Sequence, residues 1–414
     1  MPSTYLDAER AVELAARDSY GRLLAFLVSR TGDVAGAEDA LADGFLRALE
    51  TWPRTGVPDR PEAWLLKTAR RRQIDSLRRQ RATSTVTDSL LAEAERLSLT
   101  PQSSDLPETE FPDERLKLLF LCTHPAIDSA ARTPLMLQTA LGIDAATIAN
   151  AFLVAPTAMG QRLTRAKAKI RRAAIRIDAP LESELSERVD AVLDAIYTAY
   201  GLGWDRGVIG EDTRWRGLAA EAIWLARLTV ALLPDEPEAK GLLALMLFCE
   251  SRHDARRTKD GAYVPLSDQD AKLWSRPLID EAEDLLSRAA LASVIGRYQL
   301  EAAIQSAHSR RAYGERVDWE SVAQLYEGLV RIGATAGAIV GWAAAVGNAV
   351  SASEGLRILD AASIDPMSSY QPYWALKAHF LTQLGETDAA SMARQRAIGL
   401  SEDPAVREFL ARDK

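Results

Sequence analysis

Apolar residues recur every three or four positions along almost the whole chain, and runs of β-branched residues are rare. That spacing lays one apolar stripe on each of a long series of helices. Ala, Leu, Arg and Glu, all good helix formers, dominate the sequence between prolines. No pair of alternating runs flanks an Asn-Gly or Asp-Gly turn, so nothing signals a hairpin. The fold class predicted is all-α. With 414 residues the chain exceeds what one core accommodates, and it should divide into several domains.

Composition places the divisions. Residues 5–81 read as a first block of helices. Residues 82–113 are rich in Ser, Thr and Pro and carry seven acids against the single Arg96. Pro101, Pro107 and Pro112 forbid a long helix there, so the segment reads as an acidic linker with one short helix near 88–98. A second helical block covers 114–177, Pro180 marks a boundary, and a long acidic helical extension runs from 182 to 414. Irregular insertions interrupt the extension near 205–214 and 252–267. The apolar run GLLALMLF, 241–248, must be buried within it.

Near the end, Trp374, Ala378, Leu381, Gly385, Ala390 and Ala397 follow the small-and-large spacing of a tetratricopeptide helix pair. A weaker echo holds Trp342 and GLRILDAA, 355–362. The extension is therefore expected to be built of helical repeats toward the C-terminus.

The net charge of −8 hides an asymmetry. Residues 1–180 hold 25 Lys and Arg against 23 Asp and Glu, whereas the remainder holds 25 against 35. Nucleic-acid contact needs only a local basic face, and two stretches supply one. In WLLKTARRRQIDSLRRQR, 64–81, an apolar stripe of Trp64, Leu65, Leu66, Ala69, Ile74 and Leu77 leaves Lys67, Arg70, Arg71, Arg72, Arg78, Arg79 and Arg81 to project elsewhere, opposed only by Asp75. Guanidinium forks on one helix suit phosphate oxygens. A solvated surface helix is the plain alternative, but such a helix ordinarily interleaves both signs.

The second stretch, 143–177, reads as a helix over 145–152, a turn LVAP, and a helix over 157–171. Ala145, Ile148, Ala149 and Phe152 face inward from the first helix; Met159, Leu163, Ala166 and Ile170 do so from the second, which Thr157 is placed to cap. This is a helix-turn-helix pattern, whose second helix enters a major groove. Thr157, Ala158, Gln161, Arg162, Arg165 and Lys169 point outward, and no acid occurs from Thr157 to Arg176.

Other chemistry is less well supported. No stretch approaches the ~20 apolar residues of a membrane-spanning helix, and the N-terminus carries acids where a signal peptide would be basic. A cytoplasmic location is expected. Cys122 and Cys249 stand far apart, with four histidines and no HExxH, so neither a disulfide framework nor a metal site is indicated. The acids Asp280, Glu281, Glu283 and Asp284 fit an exposed helix better than a catalytic pair. No cofactor and no catalytic site are expected. Trp52 and Trp64 could stack on unpaired bases, although Trp64 fits a core position better; Trp204, Trp215, Trp224, Trp274, Trp319, Trp342 and Trp374 fit packing between helices.

The segment GDVAGAEDALADGFLRALETWPRTGVPDRPEAWLLKTARRRQIDSLRR resembles region 2 of sigma-70-like factors, and DERLKLLFLCTHPAIDSAARTPLMLQTALGIDAATIANAFLVAPTAMGQRLTRAKAKIR resembles sigma region 4. The arrangement is similar to extracytoplasmic-function sigma factors. SERVDAVLDAIYTAYGLGW (186–204), AAEAIWLARLTVALLPDEPEAKGLLALMLFCESR (219–252), DQDAKLWSRPLIDEAEDLL (268–286) and YQLEAAIQSAHS (298–309) resemble a subgroup with a tetratricopeptide-like C-terminal extension. The resemblance implies an initiation subunit that binds core RNA polymerase and reads promoter DNA, with region 2 (5–81) opening the −10 element and region 4 (114–177) reading the −35 element. It implies polymerase contacts at Asp39, Leu41 and Phe45, and DNA contacts at Arg70, Arg71, Arg72, Arg78 and Arg79 and at Thr157, Gln161, Arg162, Arg165 and Lys169. A regulatory protein would be a further partner for the extension. The rivals are a helix-turn-helix regulator with a helical sensor domain, acting without polymerase, and a tetratricopeptide scaffold for an acidic partner.

Overall fold

A computed structural model describes residues 2–83, 114–152, 154–173, 175, 177, 182–206, 213–362 and 367–412. These residues are helical almost throughout and contain no strand, only one isolated antiparallel bridge between Arg257 and Tyr263. The chain forms two compact units, residues 1–203 and 204–414. The predicted short helix at 88–98 lies outside the described residues, as do residues 207–212 of the insertion near 205–214.

The first unit opens with three helices, α1 (Pro2–Thr31), α2 (Val34–Thr55) and α3 (Pro61–Thr83), each packed on the other two. Asp33 starts α2 by accepting the Gly36 amide at 3.2 Å, which satisfies a donor the helix itself leaves open. Leu23, Leu24 and Leu27 of α1 join Leu41 and Trp52 of α2 and Leu65 of α3 in a fully buried core. Then come α4 (Arg115–Cys122), α5 (Ser129–Leu141), α6 (Ala145–Ala151) and α7 (Pro156–Arg172). Helix α1 also packs against α4 and α5, so the two blocks separated by the linker share one body. Burial within that body pushes the Cys122 thiol up to about 12, and its sulfur contacts the Thr139 hydroxyl at 3.1 Å.

The close approach of α1 to α5 depends on a missing side chain. A Cβ at Gly21 would lie 2.0 Å from the carbonyl oxygen of Ala140, far inside contact distance. One turn on, Gly142 ends α5 with φ +67°, a left-handed conformation that costs glycine little, and Tyr20 fills the space beside it.

Helix α8 (Glu182–Arg206) opens the acidic extension in sequence, yet it belongs to the first unit as far as Gly203. Val189, Val192, Leu193, Ile196, Ala199 and Tyr200 form its buried face. Arg188 is buried as well, donating to the Phe120 carbonyl with its guanidinium over the Phe120 ring, 5.8 Å from the centroid. The compact-unit boundary therefore falls some twenty residues beyond Pro180.

The second unit is a series of helices in which each packs on the next: α9 (Thr213–Leu232), α10 (Pro237–Glu250), α11 (Arg276–Ala290), α12 (Arg297–Ser309), α13 (Trp319–Ile332), α14 (Ala336–Ala349), α15 (Ala352–Ala361), α16 (Gln371–Gln383), α17 (Thr387–Leu400) and α18 (Pro404–Arg412). Every residue of 241–248 is buried, as its composition required. Glu238, at the start of α10, accepts the amides of Tyr298 and Gln299 at 2.8 and 3.1 Å and so caps α12 from outside. In the C-terminal pair, Ala378 and Leu381 of α16 pack with Ala390 and Ala393 of α17, and Gly385 turns between them at φ +79°.

The insertion after α10 is irregular but pinned. Arg311 donates to the carbonyls of Leu266, Ser267 and Gln269 at 2.6, 3.1 and 3.0 Å and stacks over Trp274. Further on, Arg257 pairs with Asp403, and Tyr263 meets Phe409 edge-on at 5.4 Å. The acids on α11 are each engaged: Asp280 by Tyr313, Glu281 by Arg227, Glu283 by Ser306 and Asp284 by Arg288. Among the tryptophans expected between helices, Trp274 is buried and Trp319, Trp342 and Trp374 are half-buried, whereas Trp224 is exposed.

Two expectations follow. A chain ending at Gly203 keeps the buried face of α8; one ending at Pro180 loses it, at about 1.5–3 kcal/mol for each large apolar side chain uncovered. The longer fragment should unfold at clearly higher urea, and coincident transitions would contradict this packing. The second concerns His308, which burial, aided by Arg252 and Arg311, holds down at about 4 against 6.5 in the free chain. The folded imidazole stays neutral while the unfolded one takes up a proton below pH 6.5, so stability is complete above that pH and is lost as pH falls toward 4. Between pH 7 and 5 the loss should be about 2 kcal/mol. Urea titrations of wild type and His308→Gln at both pH values check this; equal losses would refute it.

Candidate nucleic-acid interface

Helix α3 carries the first basic stretch. Leu65 and Ala69 are buried against the core, Trp64 is half-buried, and Ile74, expected in the stripe, is 40% exposed. Lys67, Arg71 and Arg78 are exposed, and Arg70 and Arg72 are half-exposed. The Arg72 guanidinium lies 3.8 Å from Asp43 on α2, which also pairs with Arg47 at 3.1 Å. The side chain of Arg79 lies outside those described. Glu62, in the first turn of α3, takes both the Ser19 hydroxyl and the Arg22 guanidinium, tying the helix to α1. Gln73 donates to the Thr31 hydroxyl at 3.0 Å from further along.

Trp52 does not offer a stacking face. Its indole is 1% exposed and packs edge-on against Trp64, with ring centroids 5.5 Å apart. Trp52 closes the buried spacing of α2, Leu41–Gly44–Ala48–Trp52, just before Pro53, a continuation the sequence reading missed.

That same spacing corrects the polymerase-contact set. Leu41 is fully buried, so it holds α2 in the core and presents nothing to a partner. Asp39 is exposed and Phe45 is half-buried. A second stripe, Asp39, Ala42, Leu46 and Leu49, is interleaved with the buried one and faces solvent, with Leu46 61% exposed. Leu46 and Leu49 were legible as apolar residues out of phase with the core stripe, seven and ten positions after Asp39 on one helical face.

Helices α6 and α7, expected from the sequence to be a helix-turn-helix, pack against each other. Asp144 starts α6, accepting the amides of Ala146 and Thr147 at 3.0 and 2.9 Å and the Thr147 hydroxyl at 2.5 Å. The Thr147 hydroxyl and these amides hold its carboxyl below the usual carboxylate range. Pro156 occupies the first turn of α7 behind Ala155; Thr157 makes no cap and is simply exposed. Met159, Leu163, Ala166 and Ile170 are all buried, as the spacing required. Gln161, Arg165 and Lys169 are exposed along the opposite face. Arg162 is half-buried and donates to the Ala130 carbonyl at 3.4 Å. Between α7 and the start of α5 lies an open cleft of about 660 Å³, in which Arg162, Arg165 and Lys169 face Ile127, Asp128 and Ala131. Arginine and lysine on one wall of a cleft supply charge and donors for phosphate oxygens.

One basic residue of α7 turns away from solvent. Lys167 pairs with Glu38 of α2, the two side chains being only 12% and 18% exposed. Burial pushes the Glu38 carboxyl above its ordinary range, and Lys167 pulls it back in part. The second Glu38 oxygen is buried without a hydrogen-bond partner.

Among the described residues no group of His, Cys, Asp and Glu could hold a metal ion, and no helix is long and apolar enough to cross a membrane. Residues 16–83 match sigma-70 region 2, and residues 188–290 match a family of unknown function, DUF6596. An uncharacterized protein of Rhizobium meliloti (strain 1021) is 37% identical over 370 residues, covering 88% of this chain and 86% of its own. No solved structure matches the chain. The chain thus belongs to one family with this Rhizobium protein, and its first three helices carry the region 2 domain of sigma-70-family sigma factors.

Proposed function

We propose that the chain is an alternative sigma factor of the extracytoplasmic-function type. It binds core RNA polymerase through α2, opens the −10 element with the loop before α3 and α3 itself, and reads the −35 element with α7 as a sigma region 4. The observation that carries this reading is the acid-free exposed face of α7, set on a helix-turn-helix in the same compact unit as the region 2 match. Phosphate contacts from Arg70, Arg71, Arg72, Arg78, Arg165 and Lys169 would supply affinity, while Gln161 and Arg162 would meet base edges. No cofactor and no catalytic group enter the scheme. The helical extension, tetratricopeptide-like at its end, supports activity and offers a surface to a regulatory protein.

Transcription reconstituted with core polymerase tests the proposal. Promoter-dependent initiation supports it, whereas specific DNA binding without any effect on polymerase would replace it with a free-standing regulator. Within that assay, Asp39→Arg and Leu46→Arg should weaken capture of core polymerase about tenfold or more, as expected for an interface anchor worth about 2 kcal/mol. Leu41→Ala should instead lower stability by about 2–5 kcal/mol. Unchanged capture by both surface variants, at equal folded concentration, would rule out this face. On the DNA side, Arg165→Ala and Lys169→Ala should each flatten the slope of log affinity against log salt by about 0.9, the signature of one lost phosphate contact. Titration of holoenzyme on promoter DNA at several salt concentrations reads this directly; an unchanged slope would remove both residues from the interface.

A further inference from the structure

Independently of the promoter reading, we infer that one end of the helical series in the second unit is a self-association surface, through which two copies of this chain pair about a two-fold axis. The α9–α10, α11–α12 and α13–α14 turns lie at that end. Glu238, just after the first turn, accepts the Tyr298 and Gln299 amides just after the second. Leu300, also at the start of α12, stands 3.6 Å from where a Cβ at Gly328 would lie, near the end of α13. Helix α12 packs on both α10 and α13, which puts the α11–α12 turn in the middle of the row. Each turn exposes large apolar side chains: Leu232 at the first, Leu291, Val294 and Ile295 at the second, and Ile332 at the third. The middle three are 83%, 63% and 69% exposed. Exposed leucines scattered singly call for no explanation, but a row of apolar tips along one edge marks an interaction site.

The middle turn is held in its projecting form. Ser293 has φ +55°, a left-handed conformation few residues other than glycine adopt, and such strain persists only where the surroundings enforce it. The buried Gln299 side chain does so, its amide donating to the Val294 carbonyl at 2.7 Å and to Glu238 at 3.1 Å. A tip ordered in advance loses little further freedom on binding. The charges select the occupant. Arg288 pairs with Asp284 and Arg297 with Glu301, so the centre of the row is neutral. A centre that lies on a two-fold axis meets itself, and a net charge there would repel its own copy. The two ends of the row differ in sign. Asp235 and Glu236 follow Leu232, whereas the exposed Arg331 precedes Ile332. The Arg331–Glu327 pair is exposed, so it contributes little and leaves further guanidinium donors available. Two-fold pairing reverses the row and sets the acids of one copy against the Arg331 end of the other. An anionic membrane would meet acids at one end of the row and is the poorer match.

Sedimentation equilibrium of the full chain from about 1 to 100 μM tests this, the span in which an interface of modest area dissociates. Wild type should pass from monomer to dimer across it. Ile295→Asp should raise the dissociation constant about tenfold or more while leaving the urea midpoint in place, because the side chain it replaces is exposed. Asp235→Arg and Arg331→Glu should each weaken the dimer about tenfold. Combined in one chain they should restore it, since each substituted residue then meets the other across the axis. A wild type monomeric throughout, an Ile295→Asp chain that dimerises like wild type, or a double variant no tighter than the singles would overturn the pairing. Monomeric wild type that sediments with vesicles containing anionic lipid would give the edge to a membrane. Monomeric wild type whose transcription is abolished by Ile295→Asp would give it to another protein. Either result also overturns the pairing. The dimer measurements involve neither polymerase nor DNA, so they stand or fall apart from the sigma reading.

Discussion

The backbone of α1 passes so near the end of α5 that no side chain fits at Gly21. Much of the first unit depends on that approach. It lets the three-helix block α1–α3 and the block α4–α7, separated in sequence by an acidic stretch, share one body in which α1 touches both. It also seats the Tyr20 ring beside Gly142, where burial and, secondarily, the Glu38 carboxylate push the Tyr20 phenol up. A contact governed by backbone approach is close to all-or-none, because a helix cannot back off by half a side chain and keep the remaining packing.

The extension solves a different problem. A linear series of helices buries each apolar face against the next, and its irregular insertion would otherwise leave backbone groups without partners. Arg311 satisfies three carbonyls of that insertion at once, and the Arg257–Asp403 pair ties its first turn to the loop before α18. The insertion therefore joins parts of the unit distant in sequence, where a simple repeat would make only neighbouring contacts. The match to a family of unknown function, 188–290, includes this insertion and the last helix of the first unit.

Much was legible from periodicity alone. The all-α class, the limits of α6 and α7 within a residue or two, the four buried residues of α7 and the burial of 241–248 all follow from spacing, because each element buries one continuous stripe. What escaped the sequence was which stripe counts when a helix has two. On α2, Leu41 and Leu46 are the same residue type five positions apart, and only packing against α1 and α3 decides that one is core and the other surface. Trp52 escaped for the same reason. Lys167 escaped because nothing in a run of bases marks the one that meets an acid more than a hundred residues away. The apolar face of 191–200 could be read as a docking surface for the second block, but the acids of α8 placed the boundary near 182 instead of at Gly203.

Glu238 has a consequence of another kind. Its carboxylate closes the amino end of α12 from the space beside Gly296, where a Cβ would fall 2.2 Å from the carboxyl carbon, so a side chain at 296 would have to displace the cap. Three positions on separate helices and the loop between them, 238, 296 and 299, are thereby bound into one heritable set. Exchange of single helical hairpins, the easy route for repeat architectures, is constrained across this junction. Any foreign α12 would bring backbone amides of its own, but they meet the carboxylate only where that helix starts in the same register, and the Gln299 side chain that also donates to Glu238 would be lost unless it came too.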